Sequence, residues 1–306
     1  SHGHSDHARG GHGKVLAHPD TLAIMACRYG TNFAKSTQAL EYGETIEING
    51  VTVWLAPAGH ILGSAQVVVE HKGLRMTFTG DYKRRFDPTC ASFEPVENTH
   101  VFISEATFAL PVFRHPDTGH EINRLLQSVT DFPERAHCIG AYSLGKAQRV
   151  IRHLRLAGYD EPIFIHGSLE KLCAHYQSVG IDLGTLVLAT SDDTSRAARE
   201  AFRGKIIIAP PGAFEGKWAQ RFPDPILGFA SGWMSIKQRA KQRGVELPLV
   251  ISDHADWDEL TDTVREVNPE ELWVTYGRED ALVRWAELEG RRARPLRMVA
   301  YDDEAG

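Results

Sequence analysis

The chain has 306 residues, of which 42% are hydrophobic and 24% charged, with a formal net charge of -6. That is an ordinary globular balance, long enough for one large domain or two smaller ones. The acidic total excludes a uniformly basic nucleic-acid-coating protein, so any polyanion surface has to be local. No run approaches the roughly 20 apolar residues that a bilayer span needs, and no charged-then-apolar secretory leader opens the chain.

In chain order, β-branched runs at 51–56, 65–70, 74–79 and 101–104 read as strands, crowded together without helices as in an antiparallel sheet. The pattern then alternates: strand 136–141, helix 144–157, strand 162–166, helix 169–179 and strand 205–209. Ala209-Pro210-Pro211-Gly212 is a turn signal after that strand. Strand 247–252, helix 257–267, strand 272–275, helix 279–288 and strand 296–299 complete the chain. Such alternation implies a parallel sheet with helices on its faces. The two styles predict an α/β protein with its chemistry near both ends: a domain begun by 1–115, interrupted by 116–245 and finished by 246–306. The cysteines, Cys27, Cys90, Cys138 and Cys173, form no C-x-x-C pair. This points to a reducing, cytoplasmic compartment and away from a zinc knuckle.

The strongest motif is His2-Gly3-His4-Ser5-Asp6-His7. Residues two apart on an extended segment point to one side, so His2 and His4 can face one ion. Asp6 and His7 follow where a loop can turn into a helix. Imidazole and carboxylate ligands of this kind suit zinc, or manganese in carboxylate-richer sites. A His-rich opening can also be a tag or a solvated tail, although tags are usually uninterrupted runs. His60 lies in Ala58-Gly59-His60-Ile61-Leu62-Gly63 and Asp81 in Thr79-Gly80-Asp81-Tyr82. Taken singly, each reads as a turn residue or cap; together with the opening cluster they complete a ligand pattern.

HxHxDH, a loop His and a strand-end Asp together resemble the metallo-β-lactamase superfamily. The resemblance implies an αββα sandwich in which His2, His4 and His60 hold one metal, Asp6 and His7 a second, and Asp81 bridges both. Further residues extend the likeness: Glu105 in Ser104-Glu105-Ala106, Tyr142-Ser143-Leu144-Gly145-Lys146-Ala147-Gln148, and His254 in Ser252-Asp253-His254-Ala255-Asp256-Trp257. This set resembles the β-CASP nucleases, and most of all the bacterial ligase-associated DNA exonuclease branch. The implied architecture carries a β-CASP α/β domain inserted into the metal-binding one. The implied activity is hydrolysis of DNA phosphodiesters, with Asp6, Asp81, Glu105 and His254 catalytic. Zn2+, as one or two ions, or Mn2+ would be the cofactor. The implied setting is a bacterial cytoplasm, with a functional link to an ATP-dependent DNA ligase and a helicase.

Two positions depart from the pattern. Where a third His would complete the second metal's shell, Trp273-Val274-Thr275-Tyr276-Gly277 supplies Tyr276, a poor zinc ligand. The family's layout also places a β-hairpin and an Asp-bearing strand ahead of the HxHxDH loop. Chemically, a phosphodiester needs charge neutralisation, an activated water and a stabilised leaving oxygen. His254 can donate the leaving-group proton, and Glu105 can orient it. Basic runs can track phosphates: Lys83, Arg84 and Arg85; Lys146, Arg149, Arg152 and Arg155; and Lys237 to Arg243. Each run alone also reads as a solvated face. Trp233 and Tyr142 can stack bases or fill a core. RNA processing, thioester or lactone hydrolysis, and a catalytically silent scaffold are the competing readings.

Overall fold

A computed structural model of the chain describes residues 1–189 and 196–296. The described chain forms two compact units: Ser1–Phe86, Cys90–Arg114 and the residues from His254 onward make one, and Asp87–Thr89 with His115–Asp253 the other.

The first unit opens with β1 (His12–Ala17), α1 (Pro19–Tyr29) and β2 (Ala34–Ala39), the two strands pairing in parallel. Pro19 stands in the first helical turn, where a missing N–H costs nothing, and the His18 ring accepts the Asp20 N–H as a cap. Strands β3 (Thr45–Ile48), β4 (Val51–Pro57), β5 (Ala65–His71) and β6 (Leu74–Phe78) follow as an antiparallel meander. Strand β7 (Val101–Ala106) lies parallel to β6, which corrects the expectation that the whole early group is antiparallel. All six β7 residues are buried, the signature of a strand covered on both faces.

The second unit runs α2 (Thr118–Asp131), β8 (His137–Gly140), α3 (Lys146–Leu156), β9 (Ile163–Ile165), α4 (Glu170–Ser178), β10 (Leu186–Leu188), α5 (Arg196–Glu200), β11 (Ile206–Ala209), β12 (Ile226–Ala230), α6 (Lys237–Gln242) and β13 (Leu247–Leu249). Its sheet has the order β10-β9-β11-β8-β12-β13, with every pair parallel. The strands at its centre, β8 and β11, are buried throughout, and Cys138, Ile139, Ile206, Ile207 and Ile208 fill the space under the helices. The strand expected to open the returning segment at 247 is β13, bonded to β12, so the crossing back comes later, at His254.

The first unit then closes with α7 (Trp257–Val267), β14 (Glu271–Gly277), α8 (Glu279–Leu288) and β15 (Ala293–Pro295). Its main sheet runs β15-β14-β7-β6-β5-β4-β3. The expected strand at 296–299 lies, beyond Leu296, outside the described residues. Helix α7 starts at Asp256, whose carboxylate accepts the Glu259 N–H while the Glu259 side chain accepts the Asp256 N–H. It stops at Asn268, in the left-handed conformation. Leu260, Val264 and Val267 form its buried stripe and pack with Phe102, Leu272, Val274 and Leu282. Each such side chain contributes about 1.5–3 kcal/mol by leaving water.

Several basic residues expected to meet nucleic acid are instead internal. Lys146 is 2% and Arg149 1% exposed. The Lys146 ammonium donates to Asp253 Oδ1 at 2.5 Å and to the Ile251 carbonyl at 2.9 Å. Arg149 pairs with the buried Asp87 carboxylate and donates to the Ser252 carbonyl. Arg152 and Arg155 tie α3 to residues 182–185. Lys83 is also buried, and Arg84 pairs with Glu266 at 2.6 Å over the Phe93 ring. Helical spacing gave these side chains one face, and that face is occupied by protein. Among the described residues, no helix is long and apolar enough to cross a membrane.

Candidate metal and catalytic cluster

The site belongs to the first unit and is assembled from five loop or strand-end positions. His2 and His4 come from the opening loop, which closes as a turn through the His7 N–H and Ala8 N–H donating to the His4 carbonyl. Arg28 pins that loop by donating to the Gly3 carbonyl. His60 sits in the turn between β4 and β5. Ser64 holds that turn shut: its hydroxyl oxygen accepts the N–H groups of His60 and Ile61 at 3.0 and 3.1 Å. Gly59 precedes it at φ 72°, and a Cβ there would stand 2.2 Å from the Lys83 carbonyl, so only glycine lets the two loops approach. Asp81 follows the end of β6 and Glu105 lies near the end of β7, the neighbouring parallel strand. His254 lies just before α7.

Tyr82 joins three of these segments. Its N–H donates to Glu105 Oε1 at 2.8 Å and its carbonyl accepts the Ala255 N–H at 2.7 Å. Its side chain is fully buried, and burial pushes the phenol far above its usual range. Arg85 adds a second tie, donating to the buried Asp256 carboxylate at 2.6 Å. Asp81, Glu105 and His254, far apart in sequence, are therefore fixed by the backbone around one residue.

His4 Nδ1 lies 3.0 Å from His2 Nε2 and 3.1 Å from His60 Nε2. Asp81 Oδ2 lies 3.5 Å from His2 Nε2 and 3.7 Å from His60 Nε2. The four donors lie within 4.8 Å of one another, and His2, His60 and Asp81 are buried. A neutral imidazole has one N–H and one lone pair. Three nitrogens this close cannot satisfy one another by hydrogen bonds alone, whereas one cation satisfies three lone pairs and a carboxylate together. Burial first, then the neighbouring imidazoles of His60, His4 and His7, hold the His2 pKa well below the ordinary range, so its ring is neutral, the form that binds metal. The residues present fit a divalent ion.

The other expected ligands divide. His7 Nε2 lies 3.5 Å from Asp81 Oδ1, beside the cluster, with its pKa lowered mainly by burial. Asp6 is not drawn in: its side chain is 67% exposed and its nearest approach to His7 is 3.9 Å. Tyr276 is 46% exposed and its ring lies 5.2 Å from that of His7. A bulge between Thr275 and Gly277 gives Tyr276 a φ of 55°. At Gly277 a Cβ would meet the Ala106 carbonyl at 2.2 Å. The bulge therefore re-aims the side chain at the strand end.

A second group, Asp81, Glu105 and His254, adjoins the first through Asp81. His254 Nδ1 lies 3.0 and 3.1 Å from the two Glu105 oxygens. An ionised carboxylate only accepts, so Nδ1 carries the proton of that contact. The ring packs 4.7 Å from the His60 ring and 6.1 Å from Phe108. Sequence reading gave Ser64 and Tyr82 no positioning role and set Arg85 among the phosphate-tracking residues, whereas it holds Asp256. Only the Asp256-x-x-Glu259 capping pattern, which Arg85 joins, left a readable trace.

No protein-family model matches the chain. Over 99% of its length it is 29% identical to a protein of Opitutus terrae named probable DNA ligase, and it spans 30% of that protein. It is 32% identical to endoribonuclease YSH1 of Saccharomyces cerevisiae and 30% identical to that of Kluyveromyces lactis, in both cases over 44% of this chain and 19% of the relative. The chain thus spans less than a third of the length of these relatives. A crystal structure of a protein of unknown function from Enterococcus faecalis V583 matches with a TM-score of 0.63 at 13% identity, covering 97% of this chain and 78% of that one, a likeness of fold alone. The relatives agree with the resemblance carried by the motif residues: in sequence, this chain is similar to the β-CASP nucleases of metallo-β-lactamase type.

Proposed function

We propose that the chain is a metal-dependent phosphodiesterase that trims DNA, acting as an exonuclease in repair or end preparation. In this reading the first unit is a metallo-β-lactamase αββα domain and the second its β-CASP insertion. The observation that carries the proposal is the convergence of His2, His4, His60 and Asp81 on one point beside a His254 ring held by Glu105. His2, His4, His60 and Asp81 would hold a zinc or manganese ion, and His7 lies beside the other oxygen of Asp81. When bound, the ion supplies Lewis-acid polarisation of a phosphoryl oxygen and lowers the pKa of water. Glu105 fixes the His254 tautomer, leaving Nε2 to face the phosphodiester and pass a proton to the leaving oxygen. Asp6, on the open side, has no ligand role in this scheme beyond raising the proton affinity of His7.

DNA is preferred because the relative covering 99% of the chain is named a DNA ligase. The functional partners proposed are an ATP-dependent DNA ligase and a helicase, in a bacterial cytoplasm. RNA cleavage is the second reading, favoured by the endoribonuclease names of the other relatives. The test is side-by-side digestion of 5′- and 3′-labelled DNA and RNA with metals added singly, together with metal analysis of the purified protein. Faster RNA cleavage reverses the substrate choice. Thioester turnover without phosphodiester cleavage removes the nuclease reading altogether.

A further inference from the structure

The second unit contains a feature that the metal cluster does not use. In its parallel sheet β8 connects through α3 to β9, on one side, while the adjacent β12 connects through α6 to β13, on the other. The chains diverge where these two strands end, and in open α/β sheets that crevice at the carboxyl ends is where ligands bind. The residues there are aromatic and basic. Tyr142 follows β8 and is 53% exposed. Its ring meets Phe229 of β12 edge-on at 6.4 Å. Trp233 follows β12 and packs with Phe229 and Met234, and the Arg239 guanidinium lies 4.1 Å from its ring centroid. The Arg243 guanidinium lies 5.2 Å from the Phe229 ring.

The charge around this cluster has one sign. Lys237, Arg239, Lys241 and Arg243 are all exposed, no acidic residue occurs between 227 and 245, and among the described residues none forms an ion pair with these four. Elsewhere the exposed Arg265 and Arg292 each pair with a carboxylate. An exposed Tyr142 ring and a half-buried Trp233 ring that carries a guanidinium, among exposed cations, suit a polyanion that also carries flat rings, which is single-stranded nucleic acid.

We propose that the crevice between the carboxyl ends of β8 and β12 is a base-stacking groove for single-stranded nucleic acid, with Tyr142 and the Trp233–Arg239 pair as platforms and Lys237, Lys241 and Arg243 as phosphate contacts. This deepens the nuclease reading and takes from it only the class of ligand. The test is fluorescence anisotropy of a labelled oligothymidylate with the full chain in EDTA, which keeps binding separate from cleavage. Tyr142→Ala weakens binding roughly 5- to 150-fold, the range for one lost base stack. Tyr142→Phe keeps wild-type affinity. Arg239→Gln, a surface change that spares the core, weakens binding, and Lys241→Gln weakens it while lowering the salt slope by about one. An oligonucleotide made abasic throughout loses affinity for wild type and no longer distinguishes Tyr142→Ala. The groove is overturned by wild-type affinity in both Tyr142→Ala and Arg239→Gln, by equal binding of abasic and normal strands, or by equal displacement with polyglutamate, which would mark an acidic protein partner. A wild type that cleaves while these variants bind normally sinks the groove and spares the nuclease; a wild type that binds as described without cleaving does the reverse.

Discussion

Two buried polar clusters, one in each unit, look alike in composition and differ in charge balance. In the second unit, Lys146 and Arg149 meet Asp253 and Asp87, two cations against two carboxylates, and each cation also donates to a carbonyl, of Ile251 and Ser252 respectively. In the first unit, three imidazoles converge on Asp81, and Glu105 adds a further carboxylate next door. Burial makes unbalanced charge costly. The balanced cluster is complete as it stands and locks α3 in place. The imidazole cluster instead offers lone pairs and a carboxylate that a positive ion would satisfy together.

The largest expected effect breaks the unbalanced cluster. Asp81→Ala should empty the protein of metal by elemental analysis and cut phosphodiester cleavage about 1,000-fold or more, since losing one well-placed group at a reacting centre already costs 100- to 1,000-fold. Retained metal and activity would remove the basis of the comparison. Next comes the balanced cluster. Arg149→Met strands Asp87 without its partner and should cost about 3–5 kcal/mol in urea unfolding, whereas Arg149→Met with Asp87→Leu should recover most of it. A double variant as unstable as the single one would mean that the pair is not self-contained.

Glu105→Gln sharpens the division inside the first unit. Metal content should stay, while the maximal rate falls about 10- to 100-fold as His254 loses its anchor. Metal loss in that variant would instead make Glu105 a ligand. The smallest effect is one of pH. Burial pulls the Lys146 pKa from 10.5 to about 8, with Asp253 opposing, Arg149 adding and Asp87 opposing weakly. Between those values the unfolded chain holds a proton that the folded chain has released, so stability rises with pH across that window and levels off below it. Subtracting the urea midpoints of Lys146→Met from those of wild type between pH 8 and 10 isolates this slope. A flat difference would place the ammonium in water.

The periodic elements were legible because their signals are local. Residues 257–267 and 279–288 carry helical spacing between capping residues, and they are helices over those bounds. Strands β4 to β7 were found and β1 to β3 were passed over; only the direction of β7 was misjudged, since it pairs in parallel with β6 through a long connection that no local pattern encodes. Helices α1 and α2 were passed over. The sequence marked His2, His4, His60, Asp81, Glu105 and His254, and they come together. It also marked Asp6, which stays in solvent, and Lys146 and Arg149, which do not reach it.

What the sequence alone determined was chemistry: which side chains can hold an ion, which can carry a proton, and where chain periodicity permits a helix or strand. What tertiary structure decided was partnership. Exposure and charge balance depend on residues far along the chain, such as Asp87 for Arg149 and Asp253 for Lys146, or Glu105 for His254. Spacing specifies a face of a helix, but only packing specifies whether that face meets water, a carboxylate or a strand of nucleic acid.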